Sequence, residues 1–498
     1  MPPRLPAVCL ALTLSVAGFA QNAPNPAQAI QSALRARDFT QALQLTESAL
    51  KQSPKDARLW MLQGVSLAGL GKNKEALTSF HKALAISPDN LPALEGAVQL
   101  EYQSDSAHAI PHLNQILRQR PNDLTAHAML AVAAYKQHDC TMAVKHFEQS
   151  AQLISSQPSA LAEYGSCLMD LDRPQDAAGL FQQLVTQFPD NPHARFALAS
   201  AQLAAHQGKD AVETLQPLLA LQEPEPDVLA LASTAYEGQG DTPKAVQLLR
   251  QAIVANPKKI KYYIDFAALS FNHQSFQVGI DMVNVGLKHL PNAAPLYVAR
   301  GVLFIQMAQY DKGQTDFQTA TRLNPRESSG AIAQGMAQIQ QSNLDDALAT
   351  VNSQIKVHPK EAFLYYLKAQ ILMQKGTAPG TPEFKEAIAA ATRATQLNSD
   401  FVLPRDILGS LYLKAGQLDL AIAQCRAALR TNPSDQESLY HLIQALRQSG
   451  SSGTEMADLV KRLADLRRES REQEGAANQY KLYEVEPKEP KGQPELPR

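Results

Sequence analysis

Residues 57–90 read ARLWMLQGVSLAGLGKNKEALTSFHKALAISPDN, and this stretch decides the fold. Its eighth, twentieth and twenty-seventh places hold the small residues Gly64, Ala76 and Ala83, and its thirty-second place holds Pro88. Small residues let two helices cross at short distance. Proline has no N–H to donate and disfavours helix in the residue before it. The stretch therefore predicts two short helices followed by a turn, with larger apolar residues filling the space between them: Trp60, Leu67 and Phe80.

The proline of this stretch recurs along the chain at a fixed spacing. Successive prolines lie 33 or 34 residues apart, or twice 34, and only the last interval of 74 is longer: Pro54, Pro88, Pro121, Pro189, Pro257, Pro291, Pro325, Pro359 and Pro433. A chain of 498 residues is too long for a single core, and a fixed period of this length is typical of repeat proteins. We therefore predict about twelve units between residues 23 and 435.

The occupied places resemble the tetratricopeptide repeat consensus. The same places are filled in residues 158–191 (Leu161, Gly165, Leu168, Ala177, Phe181, Leu184, Pro189) and in residues 294–327 (Tyr297, Gly301, Phe304, Gly313, Phe317, Ala320, Pro325). The resemblance implies an all-α solenoid, a right-handed superhelix of about twelve helix-turn-helix units. Neighbouring units stack because one helix pair cannot bury its own apolar face.

Three segments differ from the repeats. Residues 436–474 predict C-terminal capping helices, because their apolar residues recur on one side and charged residues cover the other. Residues 475–498 are rich in Pro, Glu and Lys and predict a disordered tail. Residues 375–382, rich in Gly and Pro, predict a lengthened exposed turn in unit eleven.

Residues 1–20 have the pattern of a signal peptide. Arg4 is followed by a mostly apolar stretch, and Gly18-Phe19-Ala20 places small residues before a possible cleavage site. The leader is either cleaved after Ala20 or kept as an anchor. We expect an exported bacterial protein in the periplasm or cell envelope, with no membrane span once the leader is removed.

Charge and motifs argue against several functions. Lys and Arg number 46 against 48 Asp and Glu, with no long basic block, so nucleic acid is not an expected partner. Histidines fall near the turn of unit four (His138, His146, beside Cys140) and four residues apart in unit three (His108, His112). A histidine pair binds a metal only with further ligands. We interpret these residues as exposed and polar, and predict no catalytic residue, metal or cofactor.

Three cysteines remain after the leader: Cys140, Cys167 and Cys425. Their odd number allows at most one internal disulfide. We interpret each of them as a small apolar filler in helix packing.

The resemblance also implies a binding surface, because the first helix of each repeat lines the concave groove through its second, fifth, ninth, twelfth and thirteenth places. In units eight to eleven these places form an apolar set, which we call the groove row: Ile264, Phe271, Val298, Val302, Ile305, Ile332, Met336, Ile339, Phe363, Tyr366 and Met373. These units lack the Lys and Asn residues that chaperone-binding relatives use to hold a terminal carboxylate. The row either grips an apolar or amphipathic segment of another protein or packs against itself or the tail across a tightly wound superhelix.

These observations predict a non-catalytic protein–protein interaction scaffold of the cell envelope, whose partners are other proteins or peptides. A periplasmic chaperone or carrier of exported chains is the first alternative. A metal-dependent enzyme is the second, and it requires a pocket near His138 and Cys140.

Overall fold

The computed structural model describes residues 26–450 and 453–477, and all regular secondary structure within these ranges is helical. The predicted leader and the tail beyond residue 477 lie outside the described residues. The helices fall into two compact bodies, one ending at Gln222 and one beginning at Glu223. The predicted all-α repeat fold is confirmed within each body.

The N-terminal body contains six helix pairs: α1 Pro26–Arg35, α2 Phe39–Gln52, α3 Ala57–Gly69, α4 Asn73–Ile86, α5 Leu91–Ser104, α6 Ser106–Gln119, α7 Leu124–Lys136, α8 Cys140–Ile154, α9 Pro158–Asp170, α10 Pro174–Gln187, α11 Pro192–Ala204 and α12 Gly208–Leu219. The C-terminal body contains seven: α13 Pro226–Gly238, α14 Thr242–Ala255, α15 Ile260–Asn272, α16 Phe276–His289, α17 Ala294–Gln306, α18 Tyr310–Leu323, α19 Ser329–Gln340, α20 Leu344–Val357, α21 Ala362–Gln374, α22 Pro382–Leu397, α23 Leu403–Lys414, α24 Leu418–Thr431, α25 Gln436–Gln448 and α26 Thr454–Ala477. Odd-numbered helices are the first helices of the repeats.

Two helices, α25 and α26, end the described part of the chain, and a lengthened turn joins α21 to α22. Helix α26 continues to Ala477, past the predicted boundary at residue 474. The turn between α21 and α22 spans residues 375–381, and Thr381 caps α22 by accepting a hydrogen bond from the backbone N–H of Phe384. The Lys414 ammonium donates to the Thr377 carbonyl at 2.9 Å, so this turn is fastened to the next repeat.

In three repeats the core places an aromatic ring against a glycine. The Phe80 ring lies between Gly64 of its own first helix and Gly96 of the next one, where an added Cβ would approach the ring to 2.6 Å and 2.4 Å respectively. In two other repeats a glycine of the first helix likewise lies against the ring of the second helix: Gly165 against Phe181, and Gly301 against Phe317. The sequence period therefore corresponds to a packing contact. A small residue leaves space for an aromatic ring within a repeat, and in the case of Phe80 also between neighbouring repeats.

A polar contact that the consensus does not reveal recurs at the fourth place. Its side chain donates to the carbonyl of the residue six positions earlier, which is the proline that ends the preceding repeat. The hydrogen bonds run from Trp60 to Pro54 (2.9 Å), Arg195 to Pro189 (3.1 Å), Tyr263 to Pro257 (3.0 Å), Tyr297 to Pro291 (2.9 Å) and Tyr365 to Pro359 (3.2 Å). Each bond anchors a first helix to the turn before it and gives the proline carbonyl in that turn a hydrogen-bond partner.

Most turns inside the repeats contain one residue in the left-handed backbone region. Glycine occupies this position at Gly71, Gly240, Gly376, Gly416 and Gly450, but seven other turns use residues with a side chain: Arg37, His138, Asp172, His206, Gln274, Ala308 and Ser342. Unit three is shorter, because only Asp105, at φ −158°, separates α5 from α6. This one-residue turn accounts for the single interval of 33 residues.

Ala308→Gly is expected to raise the free energy of unfolding of the C-terminal body by about 0.5–1 kcal/mol. Ala308 has φ +56° and is exposed, so its Cβ is strained without any packing contact to offset the strain. Urea unfolding of the full chain, followed by hydrogen exchange in α17 and α18, measures the change. Ala308→Val is the control, and we expect it to destabilise; equal stability of the two variants contradicts the argument.

Candidate protein-binding surface and the polar clusters

First helices form a continuous layer in the C-terminal body. Helix α15 contacts α17, α17 contacts α19, and this order continues through α21, α23 and α25. The groove row lies on α15, α17, α19 and α21, within that layer. The structure therefore brings the row onto consecutive helices of one face.

The eleven members of the groove row differ in exposure: two are exposed, one is buried, and eight are half-buried. Phe271 is 41% exposed and Met336 is 49% exposed, whereas Ile305 is 4% exposed. Ile305 packs in a cluster with Phe317 and Ala337, and its Cδ1 lies against Gly313. The interpretation of Ile305 as a groove residue is wrong. Gly313 has no side chain, and the Ile305 side chain fills the space beside it in the core.

The remaining members are half-buried: Ile264, Val298, Val302, Ile332, Ile339, Phe363, Tyr366 and Met373. Ile332, Ile339, Phe363 and Tyr366 pack partly against a core cluster that includes Val351 and Leu367, and Met373 packs against a neighbouring cluster. Each of these side chains is partly buried in the core and partly exposed. The accessible apolar surface is therefore narrower than the row itself and is strongest at Phe271 and Met336.

An aromatic cluster at the end of the row includes a residue that the sequence reasoning missed. The Phe401 ring stacks on Phe363 with centroids 5.6 Å apart and meets Tyr366 edge-on at 5.3 Å. Phe363 and Tyr366 are themselves 5.2 Å apart. The available signal was an apolar residue after Ser399-Asp400, in the turn between two repeats. Burial raises the pKa of Tyr366, with Asp406 contributing, so its hydroxyl stays neutral.

A buried ion pair fixes α17 against α16 and α18. The Arg300 guanidinium donates to both carboxylate oxygens of Asp316, at 2.8 Å and 2.7 Å, and to the Asn284 side-chain oxygen at 2.6 Å. Asp316 is buried, and the hydrogen bonds to it raise the pKa of Arg300 further. A bidentate pair of this kind holds the relative orientation of helices beside the groove row.

Two of the three cysteines were misinterpreted. Cys140, at the start of α8, forms a disulfide with Cys167 in α9, with Cα atoms 4.9 Å apart, so neither is a simple packing residue. Cys425 does fit that interpretation: it is buried and free, and burial raises the pKa of its thiol to about 12. The sequence allowed one disulfide but gave no spacing that selects the pair.

The histidines near the unit-four turn do not converge on one site. His138 is exposed in the left-handed turn position, and Cys140 is held in the disulfide. His146 is buried rather than exposed, and its ring stacks on His127. In unit three, His108 pairs with Asp105 at 3.5 Å, whereas half-buried His112 contacts Glu101. The interpretation of His146 and His112 as exposed residues is therefore wrong, and the pocket that the enzyme alternative requires is not formed by these residues.

A hydrogen bond joins the rings of His127 and His146. His127 Nε2 lies 2.9 Å from the Pro121 carbonyl, which can only accept, so His127 Nδ1 accepts from His146 Nδ1–H at 2.8 Å. Burial, with a contribution from His127, lowers the pKa of His146 to about 4.

Acidification is expected to destabilise α7 and α8 between pH 6.5 and about 4. Below pH 6.5 the unfolded chain takes up a proton on His146 that the folded chain accepts only near pH 4, so the unfolding free energy falls as pH falls. The loss across this window is at most about 3 kcal/mol. Hydrogen exchange at pH 7 and pH 4.5, corrected for intrinsic rates, measures it. His146→Gln is expected to reduce this slope and His108→Gln to leave it unchanged; identical slopes in all three proteins contradict the assignment.

The comparisons with known proteins agree with a helical repeat of the protein-binding class. A family model described as the cytochrome c-type biogenesis protein H TPR domain matches residues 19–161. Two tetratricopeptide repeat models match residues 168–235, and 298–354 with 408–478. The chain is a tetratricopeptide repeat protein. Repeats of this family typically serve protein interaction and not catalysis.

The curated relatives share repeats with the chain over limited lengths. Human tetratricopeptide repeat protein 16 is 20% identical over 396 residues, which cover 69% of this chain and 44% of the relative. Human DnaJ homolog subfamily C member 3 is 32% identical over 94 residues (19% and 18%), and the wheat Hsp70-Hsp90 organizing protein is 23% identical over 242 residues (46% and 40%). The matches thus span less than half of each relative.

Solved structures of similar repeats include yeast Tom70, with a TM-score of 0.46 and 17% identity, covering 90% of this chain and 94% of that one. The Cut9 and Hcn1 hetero-tetramer of APC/C has a TM-score of 0.34 and 13% identity, covering 87% and 95%. None of the described helices is long and apolar enough to cross a membrane.

Proposed function

We propose that the protein is a non-catalytic scaffold that binds an apolar or amphipathic segment of another protein on the first-helix layer of its C-terminal body. The observation that carries this proposal is the exposure of Phe271 and Met336 within a row of half-buried apolar residues on four consecutive first helices. Phe271 lies on α15 and Met336 on α19, with the half-buried apolar residues of α17 between them, and an extended apolar surface of this kind is typical of interaction sites. A helix laid into such a groove buries residues at helical spacing.

We also propose that the scaffold is exported to the cell envelope. Two observations support this: the signal-peptide pattern of residues 1–20 and the Cys140–Cys167 disulfide. Disulfides persist in oxidising compartments outside the cytosol. N-terminal sequencing of protein purified from its native host tests export: a start at Gln21 supports it, and a retained Met1 contradicts cleavage.

In-cell photo-crosslinking tests the binding surface. A photoreactive amino acid is placed at Met336 in the layer of first helices and, as a matched control, at Val357, which ends a second helix and is 62% exposed. We expect a discrete crosslinked species from position 336 and none from position 357. Equal crosslinking at both positions, or none at position 336, contradicts the proposal.

The same experiment separates the scaffold from the chaperone alternative. The names of two relatives, DnaJ homolog subfamily C member 3 and the Hsp70-Hsp90 organizing protein, associate similar repeats with chaperones. A scaffold gives one stoichiometric partner by mass spectrometry of the crosslinked band. A carrier of exported chains gives a broad set of clients crosslinked in small amounts, and this result would replace the scaffold proposal.

A further inference from the structure

A second site is suggested by three side chains that meet in the N-terminal body. His81 comes from α4, Glu101 from α5 and His112 from α6. One oxygen of Glu101 lies 2.8 Å from His81 Nε2, and the other lies 2.8 Å from His112 Nδ1. The imidazole rings are 5.6 Å apart, and one potential ligand atom from each of the three residues lies within 4.8 Å of the others.

Burial of the central carboxylate distinguishes this cluster from a surface ion pair. Glu101 is 4% exposed, so its charge is costly unless a cation or hydrogen-bond donors compensate it. The cluster therefore places a buried carboxylate between two imidazole nitrogens.

We propose that His81, Glu101 and His112 bind a divalent transition-metal ion, with Zn²⁺ as the ion that best suits their donor atoms. Two imidazole nitrogens and one carboxylate oxygen are ligands that Zn²⁺ prefers. Three protein ligands leave a fourth position open to water or to a side chain of a bound protein. This site is separate from the groove row and does not depend on the proposed function.

Metal binding requires the three side chains to rearrange around the ion. In a tetrahedral zinc site with bonds of about 2.0–2.1 Å, ligand atoms are about 3.3 Å apart. The two carboxylate-to-nitrogen distances of 2.8 Å, one to each oxygen of Glu101, are hydrogen-bond distances and must lengthen as the N–H protons are replaced by the ion. Ligand atoms that are now as much as 4.8 Å apart must approach one another by about 1.5 Å. The His81 side chain is 48% exposed, which leaves it room to move and gives the ion a route of entry.

Isothermal titration of the full chain with ZnCl₂ tests the site, after removal of any affinity tag and treatment with a chelator. We expect one high-affinity equivalent in the unmodified protein and at least tenfold weaker binding in Glu101→Gln and in His112→Gln. The control is His108→Gln, which removes an exposed histidine from the same helix and should bind Zn²⁺ normally. Circular dichroism establishes that each variant remains helical.

A second readout separates metal binding from a hydrogen-bond network. An ion that binds only the folded state raises the melting temperature, so Zn²⁺ should stabilise the unmodified protein and His108→Gln but not Glu101→Gln. The proposal is overturned if the unmodified protein binds no Zn²⁺, or if Glu101→Gln and His112→Gln bind it as tightly as the unmodified protein. The cluster is then a carboxylate bridging two histidines.

Discussion

Arg300→Met is expected to lower the unfolding free energy of the C-terminal body by about 3–5 kcal/mol. The substitution leaves the Asp316 carboxylate buried and without its bidentate partner, and it also removes a donor to Asn284. The cost comes from an uncompensated buried charge and is therefore much larger than the worth of a surface pair. Urea unfolding combined with hydrogen exchange in α16, α17 and α18 measures both its size and its location.

Two further variants check the reason for this effect. Arg300→Met with Asp316→Leu removes both charges and should recover most of the stability, because no charge is left buried. Lys261→Ala breaks a surface ion pair with Asp265 in which the Lys261 side chain is 66% exposed. This substitution should lower the unfolding free energy by less than about 0.5 kcal/mol. A double variant as unstable as Arg300→Met would contradict the buried-charge explanation.

Phe80→Ala is expected to cost about 3–5 kcal/mol, because the ring fills the space that Gly64 and Gly96 leave between two repeats. A cavity here separates neighbouring units, so the loss should appear in α3, α4 and α5 together. Hydrogen exchange resolved by helix measures it. Protection lost only in α4 would contradict the role of Phe80 between units.

Alanine substitutions at two helical glycines, one against this ring and one in open space, test the packing explanation. Gly64→Ala places a Cβ 2.6 Å from the Phe80 ring and should destabilise by about 1–3 kcal/mol. The same substitution at Gly179, which lies in a helix with nothing within 4 Å of the added Cβ, should stabilise by about 0.5–1 kcal/mol. Equal effects at the two glycines would remove the packing explanation.

The repeat fold was predictable because it rests on contacts of fixed sequence separation. Gly64 and Phe80 lie 16 residues apart in the same unit, and the pair recurs as Gly165 with Phe181 and Gly301 with Phe317. A contact repeated at one spacing leaves a period in the sequence. The left-handed turn position also recurs in the repeats, but the sequence indicates it less clearly. Glycine marks this position at Gly71, whereas Ala308 and Ser342 adopt the same backbone conformation and are not residue types that predict it.

Contacts that occur once could not be predicted in this way. The pairing of Cys140 with Cys167 depends on how α8 meets α9, and the approach of Phe401 to Phe363 depends on the path of one turn. Ile305 was assigned to the groove by its place in the repeat, but Gly313 offers it space in the core. His81, Glu101 and His112 come from three helices and share no motif spacing.

The most direct test of the scaffold proposal uses a partner protein identified by crosslinking. The test measures the affinity of that partner for two double variants of the chain. Phe271→Ala with Met336→Ala removes the exposed apolar side chains of the groove row, whereas Val254→Ala with Val357→Ala removes apolar side chains, 82% and 62% exposed, from second helices. We predict at least tenfold weaker binding for the first, about 1.4 kcal/mol or more, and an unchanged Kd for the second. Unchanged affinity in the groove variant, with its helical signal intact, would contradict the account.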